Sequence, residues 1–174
     1  MRELGNVSWE AGKGGGMAGG DYTVFRVGEL SLAVPVSLVR RVVLAVEPRP
    51  LPGAPPGVRG FVDLAGNALP LYDLRHRFGL PPRRLAASDH FLVVWTGRRE
   101  VVLWVDAVDG ARAVGAEAVK PAPDLGAGLA AGDFSGVAAM AGGLVLIQDL
   151  ERLLTAADDA RLTAALRDLS QPSA

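Results

Sequence analysis

The chain is predicted to be a mostly-β protein, a barrel or sandwich completed by one C-terminal helix. Short apolar runs of strand length recur from Tyr22 to Ile147, bounded by Gly, Pro, Asn or Asp. Several of these runs come in pairs around tight-turn residues and read as hairpins. Only after Asp149 do the apolar residues settle into a helical period.

Composition narrows the function classes. At 174 residues the chain is one domain, or two small lobes sharing a core, and needs no covalent staples. Its hydrophobic fraction of 49% and charged fraction of 21% are those of an ordinary globular protein. A net charge of −1 provides no field for nucleic acid or anionic lipid. No apolar run approaches the roughly 20 residues of a membrane helix, and the N-terminus lacks a secretory layout. Without cysteine, disulfides and thiolate chemistry are excluded, and two histidines, His76 and His90, leave little for a metal. A cytoplasmic protein without metal or cofactor, not inserted in a membrane and not bound to nucleic acid, is expected.

In order along the chain, residues 1–20 form a Gly-rich tail without periodicity, in which Trp9 is the one aromatic side chain. Met17 follows Lys13-Gly14-Gly15-Gly16, whose codons would be purine-rich, so Met17 as translation start stands beside the flexible-tail reading. From Tyr22 the chain alternates, with Tyr22 and Val24 on one face and Thr23, Phe25 and Val27 on the other. Gly28-Glu29 turns it into Leu30–Val34. Pro35 ends that strand, and Val36–Arg41 is a helical turn leading into Val42–Val46.

The stretch Leu51–Leu80 is the most informative. A proline corner, Pro52 to Pro56, can be neither helix nor central strand. Val58–Leu64 and Ala68–Tyr72 then flank Ala65-Gly66-Asn67 as a hairpin, with Gly66 and Asn67 tolerating the turn's positive φ. Asp73 caps a short helix, Leu74–Phe78, which Gly79 and Pro81 stop. The loop from Pro81 to Asp89 marks a lobe boundary. Phe91–Trp95 and Val101–Val105 read as a hairpin buried on both faces. Asp106–Gly115 is turn-rich, Val119–Pro123 extended, and Leu125–Gly132 a Gly/Ala-rich loop. Phe134–Met140 and Leu144–Ile147 flank Ala141-Gly142-Gly143. Asp149 caps a final helix, 149–169, with Leu150, Leu153, Leu154, Ala157, Leu162, Leu166 and Leu169 at helical spacing, and 170–174 is a frayed tail.

No set of groups reads as a catalytic centre. Asp63 and Asp73 flank the hairpin as strand-end and capping residues, and Ser135-Gly136 lacks the elbow that exposes a nucleophile. The glycines at 14–16 lack the context of a phosphate loop. The cluster Arg75, His76, Arg77, Arg83 and Arg84 is expected to be a solvated rim. A barrel-type nucleic-acid or ligand-binding module using the Arg75–Arg84 rim is the alternative.

The residues Leu51, Pro52, Gly53, Ala54, Pro55, Gly60, Leu64, Gly66, Pro70, Asp73, Leu74, Arg75, Phe78 and Gly79 stand in the order and spacing of the CheW-like domain, which this chain resembles. Pro52, Pro55, Gly60, Pro70, Asp73 and Gly79 are its structural motif. Val105–Val108, Val119–Pro123, Phe134–Val137 and Leu146–Leu154 extend the likeness to residues 21–156. The resemblance implies two SH3-like five-stranded β-barrels side by side plus a C-terminal α-helix. The first lobe is expected at about 28–84, and the second at about 85–148 together with the first strand, 21–27. It implies a non-enzymatic scaffold or adaptor of bacterial chemosensory signal transduction, a two-component system. Its partners would be the tip of a methyl-accepting chemoreceptor and the regulatory domain of a CheA-type histidine kinase. Carried over residue by residue, the receptor side is Val39, Arg41, Val42, Ala65 and Gly66. Val39 and Val42 equally fit a barrel core. Two positions depart from the family pattern: Ala65 stands where an arginine is usual, and Arg41 where an acid is usual. Loss of a hot-spot arginine can cost ~2 kcal/mol or more, so a specialised partner set is expected.

Overall fold

The computed structural model describes residues 19–126 and 129–171. The readings made of Trp9 and Met17, of positions 127–128 and of residues 172–174 lie outside these. The strands are β1 (Gly20–Val27), β2 (Leu30–Pro35), β3 (Val39–Leu44), β4 (Val58–Leu64), β5 (Asn67–Asp73), β6 (His90–Trp95), β7 (Glu100–Val105), β8 (Ala107–Val114), β9 (Val119–Lys120), β10 (Phe134–Met140) and β11 (Gly143–Gln148). The helices are α1 (Leu74–Arg77) and α2 (Ala156–Leu169).

Two sheets result, one ordered β3-β6-β7-β5-β4 and the other β8-β1-β2-β11-β10-β9. Each curls into a barrel because the chain leaving one edge strand returns to the opposite edge. After β3, Arg49 bridges to Phe61 of β4 through two backbone hydrogen bonds of 2.8 and 2.9 Å. After β8, β9 pairs with β10. Gly60 and Gly136 sit at register shifts in β4 and β10, where the returning backbone approaches. A Cβ on Gly60 would lie 2.2 Å from the Arg49 carbonyl oxygen, and one on Gly136 2.9 Å from that of Lys120. The two barrels are built alike. Leu64-Ala65-Gly66 through Asp73-Leu74 is matched by Met140-Ala141-Gly142 through Asp149-Leu150, and both aspartates accept a hydrogen bond from the amide two residues on.

Phe91–Trp95 of β6 and Val101–Val105 of β7 are apolar at every position because both faces are covered, as expected. Phe91, Val93, Val102 and Trp104 fill the five-stranded barrel. Leu92, Val94, Val101, Leu103 and Val105 join Phe25, Val27, Leu32, Val34 and Phe134 in a core between the barrels. Tyr22, Val24, Ala33, Val145 and Ile147 fill the six-stranded barrel. The stack of Phe78 on Phe134, with ring centroids 5.6 Å apart, crosses the junction.

The structure departs from the expected boundaries in physical detail. The chain changes barrel at Val36–Leu38 and again at Asp106, so β2 belongs with the second barrel and β6–β7 with the first; the loop 79–89 lies within a lobe. The second barrel has six strands rather than five. The turn-rich segment 107–114 is an edge strand, its small exposed residues paired with β1. The helix expected from Asp149 begins at Ala156: Asp149 caps a separate 3-10 turn, and a reciprocal Thr155–Asp158 capping box starts α2. Pro70 lies in β5 without disrupting it, because pairing with β7 begins only at Leu71.

Candidate partner-binding surfaces

β3 is the edge strand that carries three of the five receptor-side candidates. A register shift between Val39 and Arg41 makes Arg40 an extra residue, a bulge. It resets the alternation, so Val39 lies opposite Val94 and Val42 opposite Leu92, both of the inter-barrel core. Val39 and Val42 are half-buried against that core, each packing on it while leaving part of the side chain at the surface. Arg41 lies opposite Val93, on the strand's other face, at the mouth of the first barrel. It is partly exposed and has no ion pair among the described residues. Its neighbour Arg40 stands 5.9 Å over the Trp95 ring and 3.7 Å from Glu100. The structure thus separates Arg41 from Val39 and Val42 by a strand's thickness.

Ala65 and Gly66 form the exposed two-residue turn between β4 and β5. Positive φ falls on Ala65, at +54°, and Gly66, at +86°, while Asn67 already belongs to β5 opposite Leu64. The turn is one residue earlier than the Gly66-Asn67 placement. Asp63 closes it by accepting from the Gly66 amide at 2.8 Å.

The motif residues have structural work. Pro55 and Gly60 are buried, Pro52 is exposed in the corner, and Leu51 from that corner enters the inter-barrel core. Asp73 is buried, caps α1 and faces Arg59 at 3.6 Å. Gly79 terminates α1 at φ +64°.

The basic cluster is not the solvated rim expected from sequence. Arg75 is buried and pairs with Asp106. Arg83 grips Asp89 with two nitrogens, at 2.7 and 2.8 Å, and Asp106 at 2.6 Å. Both guanidiniums flank the Trp104 ring, at 5.1 and 5.4 Å, and the Trp104 indole donates to Asp89 at 3.0 Å. Arg77 reaches Asp133 of the other barrel, its Nε donating at 3.1 Å. Burial works to raise the Asp89 and Asp106 carboxyls. The hydrogen bonds from Arg83 to Asp89, and from Arg75 and the Gly28 amide to Asp106, outweigh it and hold both below the ordinary value. Three of the four arginines of the rim are thus paired with carboxylates of this chain, which leaves Arg84 as the one arginine of the cluster without an ion pair among the described residues and weakens the nucleic-acid alternative.

Asp106 also ties the barrels together. Its amide donates to the Arg26 carbonyl at 2.8 Å, and its carboxylate accepts from the Gly28 amide at 2.7 Å. Sequence reasoning missed this network because Asp106, which joins Arg75 to Arg83, is 31 and 23 residues from them along the chain. The only local sign was a carboxylate directly after the apolar run of β7.

A fold of two joined barrels whose motif residues serve turns, caps and closures is matched by a known sequence family. The sequence pattern of the CheW-like domain fits residues 21–158. The chain belongs to the CheW-like domain family. Chemotaxis protein CheW of Rhizobium meliloti is 29% identical over 133 residues, covering 76% of this chain and 86% of that protein. Protein FrzA of Myxococcus xanthus is 31% identical over 122 residues, covering 70% and 76%. The crystal structure of the scaffolding protein TtCheW from Thermoanaerobacter tengcongensis superposes with a TM-score of 0.73 at 23% identity, over 80% of this chain and 95% of that one. This shared fold confirms the mostly-β, two-barrel architecture for this CheW-like domain, a divergent member of its family. Among the described residues no helix is long and apolar enough to cross a membrane, and no group of His, Asp and Glu could hold a metal.

Proposed function

We propose that this CheW-like domain is a cytoplasmic, non-enzymatic adaptor that bridges a chemoreceptor tip and the regulatory domain of a CheA-type kinase. The observation that carries this reading is family membership over residues 21–158, shared with proteins named for chemotaxis. The β3 edge supports it physically. Val39 and Val42 present half-buried apolar surface beside the inter-barrel seam, area against which the apolar face of a docked amphipathic helix can pack. Ala65 and Gly66 project next to the first barrel as a side-chain-poor turn. Arg41 puts a positive charge where the family pattern places an acid, and the arginine usual at position 65 is absent. A receptor suited to the usual pair would meet repulsion and a lost forked contact. The adaptor therefore serves a receptor of altered charge, or binds the kinase alone.

Calorimetry against the kinase regulatory domain and a receptor signalling tip from the same cell tests this, with a parallel Arg41→Glu/Ala65→Arg double variant. Binding of both partners by the unaltered chain establishes a bridging adaptor. Binding of one, with the other restored by the double variant, establishes the restricted adaptor. Binding of neither by either protein refutes the reading.

A further inference from the structure

The other mouth of the first barrel, remote from the Ala65-Gly66 turn in the strand register, opens into a cavity of about 480 Å³. We infer that this cavity is a second docking site, which receives an acidic side chain of a partner protein; the choice of partner rests on the adaptor reading, the site itself does not.

The floor is apolar. Leu71 and Trp104, exposed by only 1% and 3%, close the barrel interior beneath it. The rim carries three guanidiniums, Arg59, Arg83 and Arg84, against one carboxylate, Glu47. These arginines are not equivalent. Arg83 is fixed by Asp89 and Asp106 and acts as a rigid wall. Arg59 is half exposed and meets Asp73 only at 3.6 Å, leaving donors available. Arg84 is exposed and has no ion pair among the described residues; its backbone oxygen accepts from Arg83 at 2.8 Å. The acids that could neutralise the rim from within, Asp73 and Asp89, have side chains exposed by 3% and are already held by Arg59 and Arg83. The solvent-facing surplus is positive, over an indole floor and between fixed walls.

That chemistry fits a carboxylate, which a guanidinium binds through two parallel hydrogen bonds. A protein, rather than a small free acid, is indicated by the surface leading into the cavity. The segment before Glu47 exposes Leu44 by 40% and Val46 by 39%, an apolar margin beyond the cavity itself. A charged socket beside exposed apolar side chains has the anatomy of an interface hot spot. The matching ligand is an aspartate or glutamate flanked by apolar residues.

The test is a ¹⁵N NMR titration of the chain with an acetylated, amidated Leu-Glu-Leu peptide and its Leu-Gln-Leu counterpart. The expected result is saturable shifts of the Trp104 indole N–H and of the Arg59, Arg84 and Leu85 amides with the glutamate peptide alone, abolished by Arg84→Glu. Equal responses to both peptides, or none at these positions, overturn the site whether or not the adaptor reading stands. Calorimetry of Arg84→Glu against the kinase domain and the receptor tip identifies the source: a tenfold or greater loss for one partner supports a protein ligand. Unchanged affinity for a partner that binds, with the peptide response intact, overturns it in favour of a free carboxylate. Failure of both partners to bind the unaltered chain while the glutamate peptide still responds refutes the adaptor reading and leaves the site.

Discussion

Replacing Gly60 with alanine attacks the closure of the first barrel at its tightest point. The residue has φ +136°, a region almost confined to glycine, where strain for another residue is about 1–3 kcal/mol. The added Cβ would lie 2.2 Å from the Arg49 carbonyl oxygen, so the returning strand must move. Moving it opens two backbone hydrogen bonds, of 2.8 and 2.9 Å, each contributing about 1 kcal/mol net. The expected loss is about 3–5 kcal/mol, which for a domain of this size lowers the melting temperature by roughly 10 °C. Gly136→Ala at the matching place in the second barrel is the control. Its Cβ would be 2.9 Å from the Lys120 oxygen and 3.0 Å from a Val119 methyl, but its φ is not in the left-handed region. About 1–2 kcal/mol is expected there. Urea and thermal unfolding of both variants decide the matter. A Gly60→Ala protein within about 1 kcal/mol of the parent, or one less affected than Gly136→Ala, refutes the closure argument.

Ala65→Asn should raise stability by about 0.5–1 kcal/mol, since alanine at φ +54° is strained and asparagine tolerates that region; a lowered urea midpoint would contradict this. Asp106→Ala leaves Arg75, with a side chain only 4% exposed, without its carboxylate and is expected to cost about 3 kcal/mol or more. Asp109→Ala, which removes a pair to the half-exposed Arg26, should cost less than about 1 kcal/mol, and equal losses in denaturation would show that the Asp106 network is not special. Asp89 and Asp106 titrate below the ordinary 3.8 in the folded chain, so their contribution is complete above that value and disappears as pH falls through their folded values. Melting temperature should therefore fall steeply below pH 4 in the parent and less steeply in Asp106→Asn; parallel acid limbs would refute the assignment.

The local structure was legible wherever one stretch of chain carries its own instructions. The hairpins, the Asp73 cap, the Gly79 stop and the doubly buried β6–β7 pair follow from neighbouring residues, and all are present. The misplacements arise where distant partners decide. The strand at 107–114 lacks large β-formers and exists because β1 offers it an edge. The start of α2 was set too early because Leu150, Leu153 and Leu154 fit a helical period while packing from a 3-10 turn. Arg75 reads as surface charge because its carboxylate partner, Asp106, is 31 residues away; Arg83 reads so although Asp89 is only six residues on, because nothing in the loop between them shows that it folds back over Trp104. Of the proposed receptor-side residues, sequence placed the turn to within one residue and Val42 in its strand, but assigned Val39 and Arg41 to a helical turn that in fact ends at Leu38. It could not show that the bulge at Arg40 sends Arg41 to the face opposite Val39 and brings Val42 onto the face of Val39.

The chain's double change of barrel has a consequence for how the protein is made. Strands β3 to β7 form one uninterrupted segment, whereas the second barrel needs Leu32 to lie beside Leu146 and Ala33 beside Ile147. On a ribosome adding roughly 5–20 residues per second, the first barrel can complete while β1 and β2, synthesised earlier, still wait for β11. During that interval Tyr22, Val24 and Ala33, which fill the second barrel together with Ala138, Val145 and Ile147, lack those partners. The order of synthesis and the order of assembly are reversed for the N-terminal hairpin. Refolding of the intact chain should show an early phase reported by Trp104 in the first barrel and a slower one reported by Tyr22 in the second, the non-local closure setting the pace.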